Sequence, residues 1–255
     1  MENNLQINLN QKSNLFLTSS TGEIFYENGI ITVNGFYKKN NFEKNLKKYW
    51  KNESKILYIT ADPNSQETNN SIIDSLKNNF QSSNFSYNCI DLCDGFKNNQ
   101  NLEDYDVIIL GGGHVPTQNK FFNEINLAER IKKFEGLIIG ISAGTMNSSE
   151  IVYAQPELDG EAIDPNYERF LKGLNLTKLQ ILPHYYSLKD EKLDGLRIIE
   201  DISYGDSVGK CFYVLPDGSY IYQSKNESYL YGEGFTIKDK KIEKICDDGK
   251  ILKLN

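Results

Sequence analysis

The chain has 255 residues, of which 39% are hydrophobic and 12% aromatic, enough for the core of one large domain or two small ones. Its formal net charge is −7 at pH 7, and an acidic surface disfavours non-specific binding to nucleic acid. The apolar runs are too short to cross a bilayer, and residues 1–8 lack the features of a secretory signal peptide. We therefore expect a cytoplasmic protein with no nucleic-acid or membrane partner.

The cysteines give no sign of a metal site. The chain has four, and the spacing between them and the two histidines does not fit a zinc motif. We expect reduced thiols, no bound metal and no other cofactor. The cysteines are Cys89, Cys93, Cys211 and Cys246.

Strands and helices alternate along the first two-thirds of the chain. Continuous apolar strands separated by helices are typical of a parallel sheet covered on both faces. The predicted strands are 14–18, 55–60, 85–92, 105–110 and 137–141. The predicted helices are 71–80, 121–134 and an earlier one with Phe42, Leu46 and Tyr49 on one face.

The pattern changes after about residue 205. Short strands at 210–215, 219–223, 228–231 and 234–238 are separated by turn residues, which predicts an antiparallel meander. No Pro- or Gly-rich linker precedes them. We predict one α/β domain over residues 1–255, with a mostly parallel sheet sandwiched by helices and with residues 205–255 as a β-rich extension.

A Gly-x-Ser-x-Gly sequence spans residues 140–144, directly after the predicted strand 137–141. A sharp strand-to-helix turn exposes a serine hydroxyl, and the following helix offers free N–H groups to an oxyanion. Small residues at such a turn also simply let a helix pack close to a strand. The strand before Ser142 and the helix-compatible sequence from Met146 onward favour a nucleophile.

A serine nucleophile needs a base within hydrogen-bond reach, and the base needs an orienting acid. His184 ends a short strand that begins at Gln180, and sites in open parallel sheets lie at the carboxyl ends of strands. His184 is therefore the candidate base; the alternative is a structural histidine beside Tyr185 and Tyr186.

Three glycines and His114 follow the strand 105–110. The N–H groups of these glycines would complete an oxyanion hole with the N–H of Ala143, and a tight turn is the alternative. A phosphate-binding loop is disfavoured, because its Gly-Lys-Ser/Thr ending is absent.

The acid stays open from spacing alone. Asp217 ends a strand, but Asp-Gly is also a standard hairpin turn. The other candidates are Glu157, Glu200, Asp201 and Asp206.

Four segments in this order resemble the dipeptidase E and cyanophycinase family of serine peptidases: 107–114, 139–147, 182–185 and 215–219. The resemblance implies a class I glutamine amidotransferase-like fold, with serine in place of the cysteine of those enzymes. It implies Ser142 as nucleophile, His184 as base and Asp217 as acid, with Glu157 as the backup acid. It also implies oxyanion donors at Gly112, Gly113 and Ala143. His114 and Tyr185 are the further candidates for contacting substrate.

The chain departs from the family after the three glycines and inside the serine turn, which indicates a subgroup with its own substrate. Dipeptidase E prefers an N-terminal aspartate, which requires a positive charge near the serine turn. No Lys or Arg lies between Lys133 and Arg169. An acidic rim there would repel a carboxylate and favour an amine or a basic residue, so we expect Asp-x dipeptides to be poor substrates. The rim residues are Glu150, Glu157, Asp159, Glu161 and Asp164.

The sequence thus predicts a serine peptidase that hydrolyses a small peptide or amide bond through an acyl-enzyme. Two other hypotheses remain: an amidase or transferase with the same triad, and a non-catalytic ligand-binding protein. The sequence is compatible with a homodimer but does not give the oligomeric state.

Overall fold

The computed structural model describes residues 13–27, 30–33, 35–225 and 227–254, with all side chains except those of 24–27 and 30–33. Its strands are β1 (Asn14–Thr18), β2 (Ile24–Glu27), β3 (Ile30–Val33), β4 (Ser54–Ile59), β5 (Tyr87–Cys93), β6 (Val107–Leu110), β7 (Leu137–Ile141), β8 (Ile151–Tyr153), β9 (Phe170–Lys172), β10 (Gln180–Leu182), β11 (Lys192–Leu193), β12 (Leu196–Arg197), β13 (Cys211–Val214), β14 (Tyr220–Ser224), β15 (Glu227–Tyr231), β16 (Gly234–Lys238), β17 (Lys241–Cys246) and β18 (Ile251–Leu254). Its α-helices are α1 (Phe42–Lys47), α2 (Gln66–Ser82), α3 (Val115–Glu124), α4 (Leu127–Arg130), α5 (Ala143–Asn147), α6 (Tyr185–Leu188) and α7 (Tyr204–Asp206). Three short 3₁₀ helices (Lys39–Asn41, Leu102–Asp104 and Ile131–Lys133) and a π-helix (Ile198–Ser203) complete the described helical elements.

Eight strands form one large sheet in the order β18-β15-β14-β1-β7-β6-β4-β5. The strands β1, β7, β6, β4 and β5 are parallel to their neighbours in this run. The strands β14, β15 and β18 continue the sheet beside β1 in antiparallel fashion. The predicted α/β class with a mostly parallel central sheet is confirmed.

Helices cover both faces of the large sheet. Because successive side chains of a strand point to opposite faces, Leu15 and Leu17 of β1 join one core cluster and Phe16 joins the other. The first face is covered by α3 and α4, through Phe121, Phe122 and Leu127. The second face is covered by α1 and α2, through Phe42, Leu46, Ile73, Leu76 and Phe80.

A second sheet has four strands in the order β10-β13-β16-β17. The prediction of one meander after residue 205 is wrong, because β14, β15 and β18 belong to the large sheet and only β13, β16 and β17 belong to this one. The physical reason lies in β1, whose backbone groups on the side away from β7 need hydrogen-bond partners. β14 supplies them.

The predicted helix over 121–134 is interrupted. α3 begins earlier and ends at Glu124, and Asn126 has a left-handed φ of 51° before α4 begins. Asparagine tolerates that conformation better than most residues, so the apolar spacing continues through a break in the helix. Across the described ranges, no helix is both long and apolar enough to span a membrane.

Candidate active site

Ser142 lies at the bend between β7 and α5. Its φ of 49° and ψ of −112° are rare for a residue with a side chain. The Ser142 N–H donates to the carbonyl oxygen of Thr18 at 3.0 Å. The Thr145 hydroxyl donates to the same carbonyl at 2.8 Å and accepts the Thr18 N–H at 3.0 Å. These bonds hold the end of β1 against the bend and fix the position of the serine.

The bend requires glycine on both sides of the serine. A Cβ at Gly140 would lie 2.9 Å from the Thr145 Cα, and a Cβ at Gly144 would overlap the carbonyl group of Leu110. The Gly144 N–H donates to the Gly111 carbonyl at 3.0 Å. α5 therefore packs directly onto the end of β6, which is the reason for the Gly-x-Ser-x-Gly pattern.

His184 and Asp217 follow two neighbouring parallel strands. β10 and β13 pair Leu182 with Val214, so the residues after each strand emerge side by side. The Leu215 N–H donates to the Leu182 carbonyl at 2.9 Å. His184 has a left-handed φ of 57°, and its ring lies between Ser142 and Asp217.

The structure brings Ser142, His184 and Asp217 into one hydrogen-bonded chain. His184 Nε2 lies 3.0 Å from Ser142 Oγ, and His184 Nδ1 lies 2.9 Å from Asp217 Oδ1. Both distances are within the reach that a nucleophile, a base and an orienting acid need.

Ser19 is a site residue that the sequence analysis missed. Its hydroxyl donates to the Leu215 carbonyl at 3.0 Å and accepts the His184 N–H at 3.2 Å. It thereby ties the loop of His184 to the loop of Asp217. The available signal was the run of hydroxyl residues at 18–21, which begins at the last residue of β1 and so lies at the carboxyl edge of the sheet.

The glycine loop lies beside the serine. A Cβ at Gly112 would lie 3.3 Å from the Ser142 Cβ, and Gly113 has a φ of 148°, which favours glycine. Within the part of the chain that the structure describes, the N–H groups of Gly112, Gly113 and Ala143 donate no hydrogen bond. They are the N–H groups expected to hold an oxyanion.

Buried side-chain amides hold this glycine loop in place through hydrogen bonds. Gln118 Nε2 donates to the Gly111 carbonyl at 2.7 Å, and Asn147 Nδ2 donates to Gln118 Oε1 at 3.0 Å. Both side chains are fully buried. The network connects the loop after β6 to the end of α5, so the glycine loop and the serine bend are held in one arrangement.

His114 and Tyr185 are not among the residues that line the cavity at Ser142. The His114 ring lies 2.8 Å from Thr117 Oγ1 and 2.9 Å from Glu161 Oε1. The Tyr185 ring packs against Phe235 with a centroid distance of 4.6 Å. The contacts of both side chains support the loops around the site.

Glu157 is not hydrogen-bonded to His184. Its N–H donates to Glu161 Oε2 at 2.9 Å, in a loop whose Glu161 also holds His114. Glu157 is exposed as a residue, but its carboxyl group lies among protein atoms. Desolvation of its carboxyl, and then the negative charge of Glu161, raise the pKa of that carboxyl to about 7.

Glu157→Gln should raise the melting temperature at pH 8 and change it little at pH 4.5. Because the pKa of this carboxyl rises from 4.5 to about 7 on folding, the folded state loses stability as the pH rises through that window. Thermal unfolding at the two pH values tests this, with Glu168→Gln, an exposed carboxylate of the same loop, as the control. An equal shift at both pH values would contradict the explanation.

A cavity of about 560 Å³ opens onto Ser142 and His184. Its walls include residues 19–21 after β1, the glycines 112 and 113, Tyr58 of β4 and the side of α2 from Glu67 to Asn79. None of the five residues of the predicted acidic rim lines it. Glu150, for example, pairs with Lys178 at 2.6 Å. In the described ranges, no group of three or more His, Cys, Asp or Glu side chains is arranged to hold a metal ion.

A strand–turn–helix bend that presents a serine at the carboxyl edge of a parallel sheet is typical of serine hydrolases. The sequence profile of peptidase family S51 matches residues 30–229, and the chain belongs to that family. The predicted resemblance to the dipeptidase E family is confirmed by this match.

A solved structure shares the fold. It is a 1.5 Å crystal structure of a protein from Listeria monocytogenes EGD-e, described as a candidate peptidase E. The TM-score is 0.51 and the sequence identity 18%, and the similarity covers 91% of this chain and 98% of the other. No curated protein sequence matches the chain.

Proposed function

We propose that this serine peptidase hydrolyses a small peptide through a Ser142-His184-Asp217 triad and an acyl-enzyme. The observation that carries the proposal is the pair of contacts of His184, 3.0 Å to Ser142 Oγ and 2.9 Å to Asp217 Oδ1, at a cavity large enough for a short peptide.

In the proposed reaction, His184 carries its proton on Nδ1 and donates it in a hydrogen bond to Asp217. Nε2 takes the hydroxyl proton of Ser142 while Oγ attacks the scissile carbonyl carbon. The carbonyl oxygen becomes an oxyanion, which the free N–H groups of Gly112, Gly113 and Ala143 stabilise. One such donor contributes about 3–4 kcal/mol to lowering the barrier.

Nε2 then gives its proton to the leaving amine, and the C–N bond breaks to leave an ester on Ser142. Water enters, and His184 Nε2 takes one of its protons while the water oxygen attacks the ester carbonyl. The bond from the acyl carbon to Ser142 Oγ then breaks, Nε2 returns the proton to Oγ, and the acid product leaves with the serine and the histidine restored. Throughout, the Asp217 carboxylate holds the imidazole in orientation and stabilises its positively charged form.

Labelling with a fluorophosphonate tests the proposal. We expect intact mass spectrometry to show one adduct on the wild-type chain and none on Ser142→Ala or His184→Ala. Ser187→Ala, at an exposed serine near the base, is the matched control and should label normally. A folded wild-type chain that forms no adduct would refute an activated serine.

A further inference from the structure

The cavity at Ser142 is lined by a negative side chain that no lysine or arginine of the described lining balances. Among the described residues that line it, Glu67 is the only carboxylate, and no lysine or arginine is present. The described part of the walls therefore provides a negative charge and no lysine or arginine side chain.

The Glu67 carboxylate is free to bind a ligand. It is exposed, and it forms no hydrogen bond or ion pair with any residue that the structure describes. It lies in the first turn of α2, where the helix dipole favours a negative charge. The carboxylate is therefore stabilised in place without a cation from the protein.

Two serine hydroxyl groups lie on the same side of α2 as Glu67 and also line the cavity. Glu67, Ser71 and Ser75 are four residues apart, so they lie one above another on one side of the helix, and all three line the cavity. The Ser71 hydroxyl donates its proton to the Glu67 carbonyl at 3.1 Å, which leaves its oxygen as an acceptor. A carboxylate followed by hydroxyl acceptors suits a group with several N–H donors.

We propose that the cavity selects peptides that carry a basic side chain, and that Glu67 pairs with the ammonium or guanidinium group of that side chain. The inference rests on the proposed function, because the same cavity must present the scissile bond to Ser142. An acidic side chain in this cavity would be repelled by the charge of Glu67 and would meet no lysine or arginine among the described residues that line it.

The test compares kcat/KM for dipeptides of equal length that differ in one side chain: Lys-Ala, Met-Ala and Glu-Ala, and the reversed set Ala-Lys, Ala-Met and Ala-Glu. Methionine is the neutral reference because it is unbranched like lysine. In one of the two sets, the varied side chain will lie next to Glu67. For that set we expect the wild type to have a kcat/KM about tenfold higher for the lysine peptide than for the methionine peptide. Glu67→Gln should reduce that ratio to about one, and Glu67→Lys should make the glutamate peptide the preferred one.

Asp74→Asn is the matched control. Asp74 lies on the same helix, carries the same charge and pairs with Lys77 at 2.9 Å, and it does not line the cavity. It should keep the wild-type preference. All variants are first labelled with fluorophosphonate, which reports the activated serine independently of substrate choice.

Three results would overturn the inference, and they separate it from the proposed function. A wild type that labels but cleaves lysine and methionine peptides equally lacks the selectivity. If the preference for lysine remains in Glu67→Gln, another residue is responsible for it. A wild type that neither labels nor cleaves any of the peptides refutes the proposed function, and the inference with it.

Discussion

Replacing Asp217 with asparagine should lower kcat about 10³- to 10⁴-fold and leave the fold intact. An amide at this position can donate to Nδ1 of His184, which would move the ring proton to Nε2 and remove the base that Ser142 needs. The Asp217 side chain is 35% exposed, so in the variant water can partly take over its contact with His184. We therefore expect a loss of kcat of about 10³-fold. Steady-state kinetics on a cleaved dipeptide, with circular dichroism for folding, measures the effect.

Glu157→Gln is the comparison that separates the two acids considered from the sequence. Because Glu157 bonds within its own loop and not to His184, this variant should keep kcat within about twofold of wild type. A large loss in Glu157→Gln together with a small loss in Asp217→Asn would assign the acid to Glu157 and refute the proposed triad.

Gly144→Ala should destabilise the fold by about 3 kcal/mol, one of the larger effects that a single methyl group can have. The new Cβ would overlap the carbonyl carbon and oxygen of Leu110. Both are backbone atoms at the end of β6, so no side chain can rotate away to make room. α5 must move outward, which also displaces Ser142. Urea unfolding measures the stability, and fluorophosphonate labelling measures the displacement.

Gly205→Ala controls for the general effect of replacing glycine by alanine. Gly205 lies in α7, and a Cβ there would have no heavy atom within 4 Å other than those of its chain neighbours and its own helix backbone. This variant should be neutral or slightly stabilising, within about 0.5–1 kcal/mol. If Gly144→Ala unfolds at the same urea concentration as wild type, the contact between α5 and β6 is looser than described.

The central sheet was predictable because its signal is local. The strands 14–18, 55–60 and 137–141 have continuous apolar side chains, and burial on both faces produces that pattern in any order of strands. The order itself depends on contacts between distant residues. Nothing near Tyr220 indicates that its strand leaves the small sheet and pairs with β1, so the predicted meander failed at that point.

The same difference between local patterns and contacts of distant residues applies to the candidate site. The bend at Ser142 is recognisable because glycines at fixed spacing reflect local crowding. The choice between Asp217 and Glu157 depends instead on the register of β10 and β13, which sets Leu182 opposite Val214. Ser19 and Glu67 were missed because their elements meet Ser142 only in the folded chain, and neither carries a motif.

The backbone of Ser142 has one more consequence. A left-handed conformation of this kind costs a residue with a side chain about 1–3 kcal/mol, and Ser142 adopts it with a φ of 49°. Glycine would adopt it at little cost. A population of variants selected only for resistance to heat would therefore tend to replace the proposed nucleophile with glycine. Selection for resistance to heat and for turnover together would keep the serine and place the gains elsewhere in the chain, so stability and chemistry compete at residue 142.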